Sequence, residues 1–167
     1  MTIINVDIDL LGDIMLSRPR ENAYLDTWTG EAEFLSHAQI RAFLHQGEEF
    51  KNLSEDEEES FFLVEQIFSD TENRYRDLPR VPEIVELCWM SKFADRVSDL
   101  QLSEKLKATL GNNIVSVAMK KFSAELSTAS FEEWHRWRDF RNQKKREAVT
   151  DMMSDNGIIE NATFRFT

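Results

Sequence analysis

The chain has 167 residues, 41% hydrophobic and 31% charged, and its 5 Gly and 3 Pro form no linker, which suits a single domain with a packed core and excludes wholesale disorder. A lone cysteine, Cys88, excludes an intramolecular disulfide; with an acidic rather than basic N-terminal stretch no signal peptide is expected, and no apolar run reaches the roughly 18 residues of a membrane span, so the expected compartment is the cytoplasm. The net charge of −11 sits in the first half: residues 1–80 hold 18 acids against 7 bases and residues 81–167 hold 13 of each, a balance that excludes a bulk polyanion binder.

In chain order, Val6, Leu10, Leu11, Ile14 and Met15 recur at helical spacing and predict a short amphipathic helix over 6–16, stopped by Pro19. The stretch from Tyr24 to Leu35 reads as strand, tight turn, strand, with Thr29-Gly30 at the bend because Gly takes positive φ at no steric cost. Ser36 and Gln39 form a capping-box pattern opening a helix with Ile40, Phe43 and Leu44 inside and Gly47 at its end; Ser54 and Glu57 repeat the pattern before Phe61, Val64, Ile67 and Phe68. Tyr75 to Pro82 reads as an irregular connection, with Pro82 at the first helical position of a long helix carrying Ile84, Val85, Cys88, Trp89, Phe93 and Val97. A shorter helix follows from Leu100 to Leu110, closed by Gly111; another runs from Ile114 to Leu126, with Val117, Ala118 and Phe122 inward. Ser130 and Glu133 cap a last helix reaching Asn156-Gly157, and the alternating tail Ala162–Thr167 is expected to extend the hairpin sheet. The expected fold class is α+β and mostly helical: one domain over 1–167, with a hairpin at about 22–36, a helical bundle over 37–157 and a tail over 158–167.

Two charged stretches stand out. Residues 136–146 carry 6 bases and 1 acid beside Trp134, Trp137 and Phe140. Arg138, Arg141 and Lys145 are three or four residues apart and share a helix face, and Arg with Trp is the usual composition of an interface anchor. Trp137, Arg138, Arg141 and Lys145, with the hairpin aromatics Tyr24 and Trp28, are therefore the expected partner-binding set. The structural reading of the same stretch buries the aromatics and solvates or pairs the bases. The second stretch, 48–59, holds Glu48, Glu49, Glu55, Asp56, Glu57, Glu58 and Glu59 with one base, Lys51, and would dock a basic partner or mimic nucleic-acid phosphates; otherwise it is a solvated loop and a well-capped helix start.

Asp7-Ile-Asp9 after Ile3-Ile-Asn-Val6 resembles the nucleophile strand of haloacid-dehalogenase-type phosphatases, in which the first Asp attacks phosphorus beside Mg²⁺. The strand–helix alternation of that fold is missing. His37 and His45, two turns apart, and His135 are read as surface histidines, and Cys88 beside Trp89 as a buried thiol. No nucleophile elbow, zincin motif or Walker loop occurs, so no catalytic residue, metal ligand or cofactor is assigned.

Tyr24-Leu-Asp-x-x-Thr-Gly-Glu31 resembles the start of a bacterial family known as uncharacterised protein family 0158. Trp134-x-x-Trp137-Arg138 and Asn156-Gly-Ile158 are similar to later motifs of the same family, with Leu78-Pro79 between them. The resemblance implies a bacterial or phage cytosolic protein and no activity. The expected function is a non-catalytic interaction or regulatory protein that docks a protein partner, with nucleic acid as a further partner through the 136–146 helix and no membrane. The alternatives are an acidic inhibitor of a nucleic-acid-handling protein and a Mg²⁺-dependent phosphatase.

Overall fold

A computed structural model describes residues 2–17, 21–44, 55–111 and 114–160. The chain forms two compact units, one built from Met1–Arg80 with Val149–Thr167 and the other from the uninterrupted stretch Val81–Ala148. Helix dominates both, and the fold is mostly helical α+β.

The first unit holds both small sheets. Strand β1 (Thr2–Ile4) leads to α1 (Ile8–Leu16), which starts where the Asp7 carboxylate accepts the Leu10 N–H at 2.9 Å and buries Leu11, Ile14 and Met15. The hairpin pairs β2 (Glu21–Asp26) with β3 (Ala32–Ser36) in antiparallel register, Glu21 opposite Ser36 and Leu25 opposite Ala32. Two bonds close its loop, Asp26 N–H to the Glu31 carbonyl at 2.9 Å and Gly30 N–H to the Asp26 carbonyl at 2.8 Å. Gly30 has φ +81°, and a Cβ there would lie 1.9 Å from the Asn5 carbonyl oxygen, so the bend needs glycine both for its conformation and for its closeness to another segment.

The strand that extends the hairpin is β4 (Tyr75–Asp77), within the stretch expected to be irregular. It pairs with β2 to give the order β3-β2-β4. The tail does not supply that strand within the described residues: β5 (Ile158–Glu160) pairs in parallel with β1 in a separate two-stranded sheet, and residues 162–167 lie outside the described chain. The reciprocal capping box is formed, with the Gln39 side chain accepting the Ser36 N–H at 2.7 Å and the Ser36 hydroxyl accepting the Gln39 N–H at 3.1 Å. It opens α2 (His37–Leu44), which is followed by α3 (Glu55–Phe68). Ser54 and Gly47 of the expected signals lie outside the described residues.

The second unit is helical. It contains α4 (Glu83–Ala94), α5 (Leu100–Thr109), α6 (Val115–Ala129) and the larger part of α7 (Phe131–Asp155), whose residues from Val149 onward belong to the first unit. Pro82 is the cap residue of α4, one position earlier than its expected place. Asp99 caps α5 by accepting from Gln101 N–H and Leu102 N–H, and Ser130 caps α7 by accepting the Glu133 N–H at 3.3 Å. The core is an aromatic cluster: the Trp137 ring lies 5.3 Å from Phe93, 5.1 Å from Phe122 and 6.0 Å from Phe140. Ala118 and Phe122 face it, whereas Val117, one helical step from Ala118, is exposed.

Candidate functional site

Alternation along β2 puts Asn22, Tyr24 and Asp26 on one face of the sheet. Asp26, at the strand's end opposite Tyr75, is fully buried, so its charge needs partners. Arg74 supplies them: its Nε donates to both carboxylate oxygens at 3.0 Å and its Nη2 to Oδ2 at 2.5 Å, while the Trp28 N–H donates to Oδ1 at 2.8 Å. Burial raises the Asp26 pKa, but the hydrogen bonds from Arg74 and Trp28 and the Arg74 charge outweigh it and hold the group below its ordinary range. Thr27 locks the same corner, donating from N–H and from Oγ1 to the Arg74 carbonyl, each at 2.8 Å.

The Arg74 guanidinium also lies over two rings, 4.6 Å from the centre of Trp28 and 4.8 Å from that of Tyr75. Tyr75 is tied down by its hydroxyl, 3.0 Å from Gln66 Oε1, and by its N–H, donated to Asp70 at 2.9 Å. Trp28 nevertheless remains 65% exposed. The hairpin tip therefore presents an exposed indole lying against a guanidinium that is itself paired with Asp26.

Beside the tip, cross-strand register places Glu33 and Asp77 directly opposite Tyr24 on its two sides. Burial first, then the Asp77 charge, raises the Tyr24 hydroxyl above its ordinary pKa, so it stays protonated as a donor. Tyr24 and Asp77, with Asn22, Arg80 and apolar Ile14, Ala23, Leu78 and Pro79, line a shallow cleft of about 480 Å³.

Of the expected docking set, Tyr24 and Trp28 share this hairpin. The α7 members are placed otherwise. Trp137 is 5% exposed inside the aromatic cluster, as the structural reading of this stretch expects, and Lys145 is buried rather than solvated, so neither is a surface contact; Trp134 is half-buried. Arg138 is exposed but lies near Asp139 at 3.6 Å and over the Trp134 ring at 5.6 Å; Arg141 approaches the buried Glu86 at 3.9 Å. Arg136 pairs with Glu133 at 2.5 Å, and Lys144 with Glu147. The run of bases is largely met by acids on its own helix and on α4.

In the acidic stretch, Glu58 and Glu59 are exposed on α3. Glu55, Asp56 and Glu57 form its first turn, and Glu48, Glu49 and His45 lie outside the described residues. Asp7 is occupied as the cap of α1 and Asp9 sits exposed in that helix's first turn. Among the described residues no group of three or more His, Cys, Asp and Glu could hold a metal, and no helix is long and apolar enough to cross a membrane. Cys88 is exposed, contrary to the burial expected from its neighbour Trp89, because the next residue along a helix points about 100° away. His37 is exposed, and His135 packs edge-on against Phe131 and Trp134.

Sequence reasoning missed Asp26, Arg74 and Tyr75 as a unit. Asp26 and Arg74 are 48 residues apart, and only the β2–β4 pairing brings them together. No protein-family model, curated protein or solved structure matches the chain.

Proposed function

We propose that the protein is a non-catalytic interaction protein that docks a protein partner through the hairpin tip, with Trp28 as its anchor and Tyr24 at the margin. One observation carries this reading: a largely exposed Trp lies 4.6 Å from the Arg74 guanidinium, which grips the buried Asp26 carboxylate bidentately, while the Trp28 N–H bonds the same carboxylate. An exposed indole is costly to leave in water, and a pre-fixed one loses little freedom on binding. The proposal keeps a kinship with uncharacterised protein family 0158, which supplies no activity, and a cytoplasmic location.

The test compares cross-linked partners recovered by wild type, by Trp28→Ala and by the triple variant Arg136→Ala, Arg138→Ala, Arg141→Ala, with folding checked by circular dichroism. Loss of the partner in Trp28→Ala alone is the expected result. Loss in the Arg variant alone would return the docking surface to α7.

A second reading, the acidic inhibitor of a nucleic-acid-handling protein, is favoured by the charge division: the first unit holds 21 acids against 8 bases and the second 10 against 12. It requires a partner whose binding weakens steeply with salt, and binding insensitive to salt would dispose of it.

A further inference from the structure

The strongest unexplained surface lies on α2 and α3. No residue of α2 is buried, although Ile40, Phe43 and Leu44 give the helix an apolar side. Phe43 meets two rings of α3, Phe61 at 5.2 Å and Phe68 at 5.9 Å. In that cluster Phe43 and Phe61 are half-buried and Phe68 is 49% exposed, and Leu44 and Phe62, next in sequence to Phe43 and Phe61, are 62% and 59% exposed. Single exposed apolar residues are ordinary, whereas a group joined by ring contacts marks a recognition surface.

Its charge is as informative as its apolarity. Glu58 and Glu65, both exposed, stand three or four residues before and after Phe61 and Phe62, so the phenyl rings lie on a helix surface between carboxylates. The unit that carries this face has 21 acids and 8 bases.

We infer that the α2–α3 aromatic face is the docking site for a basic amphipathic helix of a partner protein. The phenyl rings and Leu44 would take that helix's apolar stripe, and Glu58 and Glu65 its flanking Lys or Arg. A second copy of this chain is a poor occupant, since a two-fold contact would set the two Glu58 and Glu65 pairs against each other. An anionic bilayer would be repelled by the same carboxylates. The site is on different elements from the hairpin tip and stands independently of it.

The probe is a fluorescent peptide of about 14 residues, long enough for a helix of roughly 20 Å, with Leu and Lys at amphipathic helical spacing. Its control has Glu in place of every Lys. Anisotropy titrations are expected to show binding of the Lys peptide only, weakening as salt rises from about 0.05 to 0.3 M. The triple variant Leu44→Ser, Phe62→Ser, Phe68→Ser is expected to lose at least about tenfold in affinity, and Phe62→Ser alone several-fold; the single variant decides if the triple one does not fold. Glu104→Gln, on α5, is the control for non-specific charge and is expected to bind as wild type does. Absent binding, binding of the Glu peptide, or undiminished binding by both Ser variants overturns the inference. So does a wild-type dimer in sedimentation that the Ser substitutions dissolve, or capture of the protein by phosphatidylcholine vesicles through the same residues.

Discussion

Replacing Arg74 by Ala leaves the buried Asp26 carboxylate with the Trp28 N–H but without its cationic partner. Removing one member of such a pair costs about 3 kcal/mol, near the lower end of the usual range because Arg74 is itself a quarter exposed. An unfolding free energy lowered by that amount, read from a lower denaturant midpoint at an unchanged slope, is the expected readout. The pH dependence has a definite sign. Asp26 is held below its ordinary pKa, burial being outweighed by Arg74 and Trp28. Its stabilisation is complete above the unfolded-state value, about 3.9, and is lost as pH falls through the lower folded value. Asp70, in the connection between α3 and β4 that carries Arg74, is lowered too: burial raises it, but the N–H groups of Tyr75, Arg74 and Glu72 prevail. Thermal midpoints of wild type are therefore expected to drop below about pH 4, and Asp26→Asn, less stable at neutral pH, to show a shallower drop. Gly30→Ala is expected to cost more than the roughly 1 kcal/mol of a left-handed Ala, since the Asn5 carbonyl oxygen stands 1.9 Å from the new Cβ and backbone must move. Loss of only that conformational amount would mean the Asn5 segment yields freely.

At the level of elements, local signals were readable and long-range ones were not. The hairpin was legible because β-forming residues flank a glycine, and helices because Ser36/Gln39 and Ser130/Glu133 supply first-turn N–H groups with acceptors. Strands β1, β4 and β5 have three residues each, too few to show a period of two, and their identity comes from partners distant in sequence. The same limit hid the candidate site, whose ion pair depends on β4. The α7 stretch misled for another reason. Trp137 and Arg138 are adjacent in sequence, but a helix turns them apart, one into the aromatic cluster and one toward solvent. Trp137→Ala is accordingly expected to destabilise by about 3–5 kcal/mol, with loss of the near-ultraviolet circular dichroism of the packed rings. A stable Trp137→Ala protein that merely bound its partner less well would restore Trp137 to the interface.

Across the whole chain the charge is divided unevenly between the units, and the acidic one repels itself. Raising salt from about 0.01 to 0.15 M shortens the screening length from roughly 30 to 8 Å, so thermal stability is expected to rise with sodium chloride over that range. A midpoint that fell instead would show that attractive pairs such as Asp26–Arg74 outweigh the repulsion. The parallel pairing of β1 with β5, Thr2 opposite Ile158, bears on how the protein is made. On the ribosome β1 is made about 150 residues before its partner. At about 5–20 residues per second, that strand waits roughly 8–30 s for its hydrogen bonds. The continuous stretch Val81–Ala148 leaves the exit tunnel during that interval and has every residue of its aromatic core. Synthesis thus offers the inner segment a head start, and the discontinuous unit closes only when translation has delivered both of its segments.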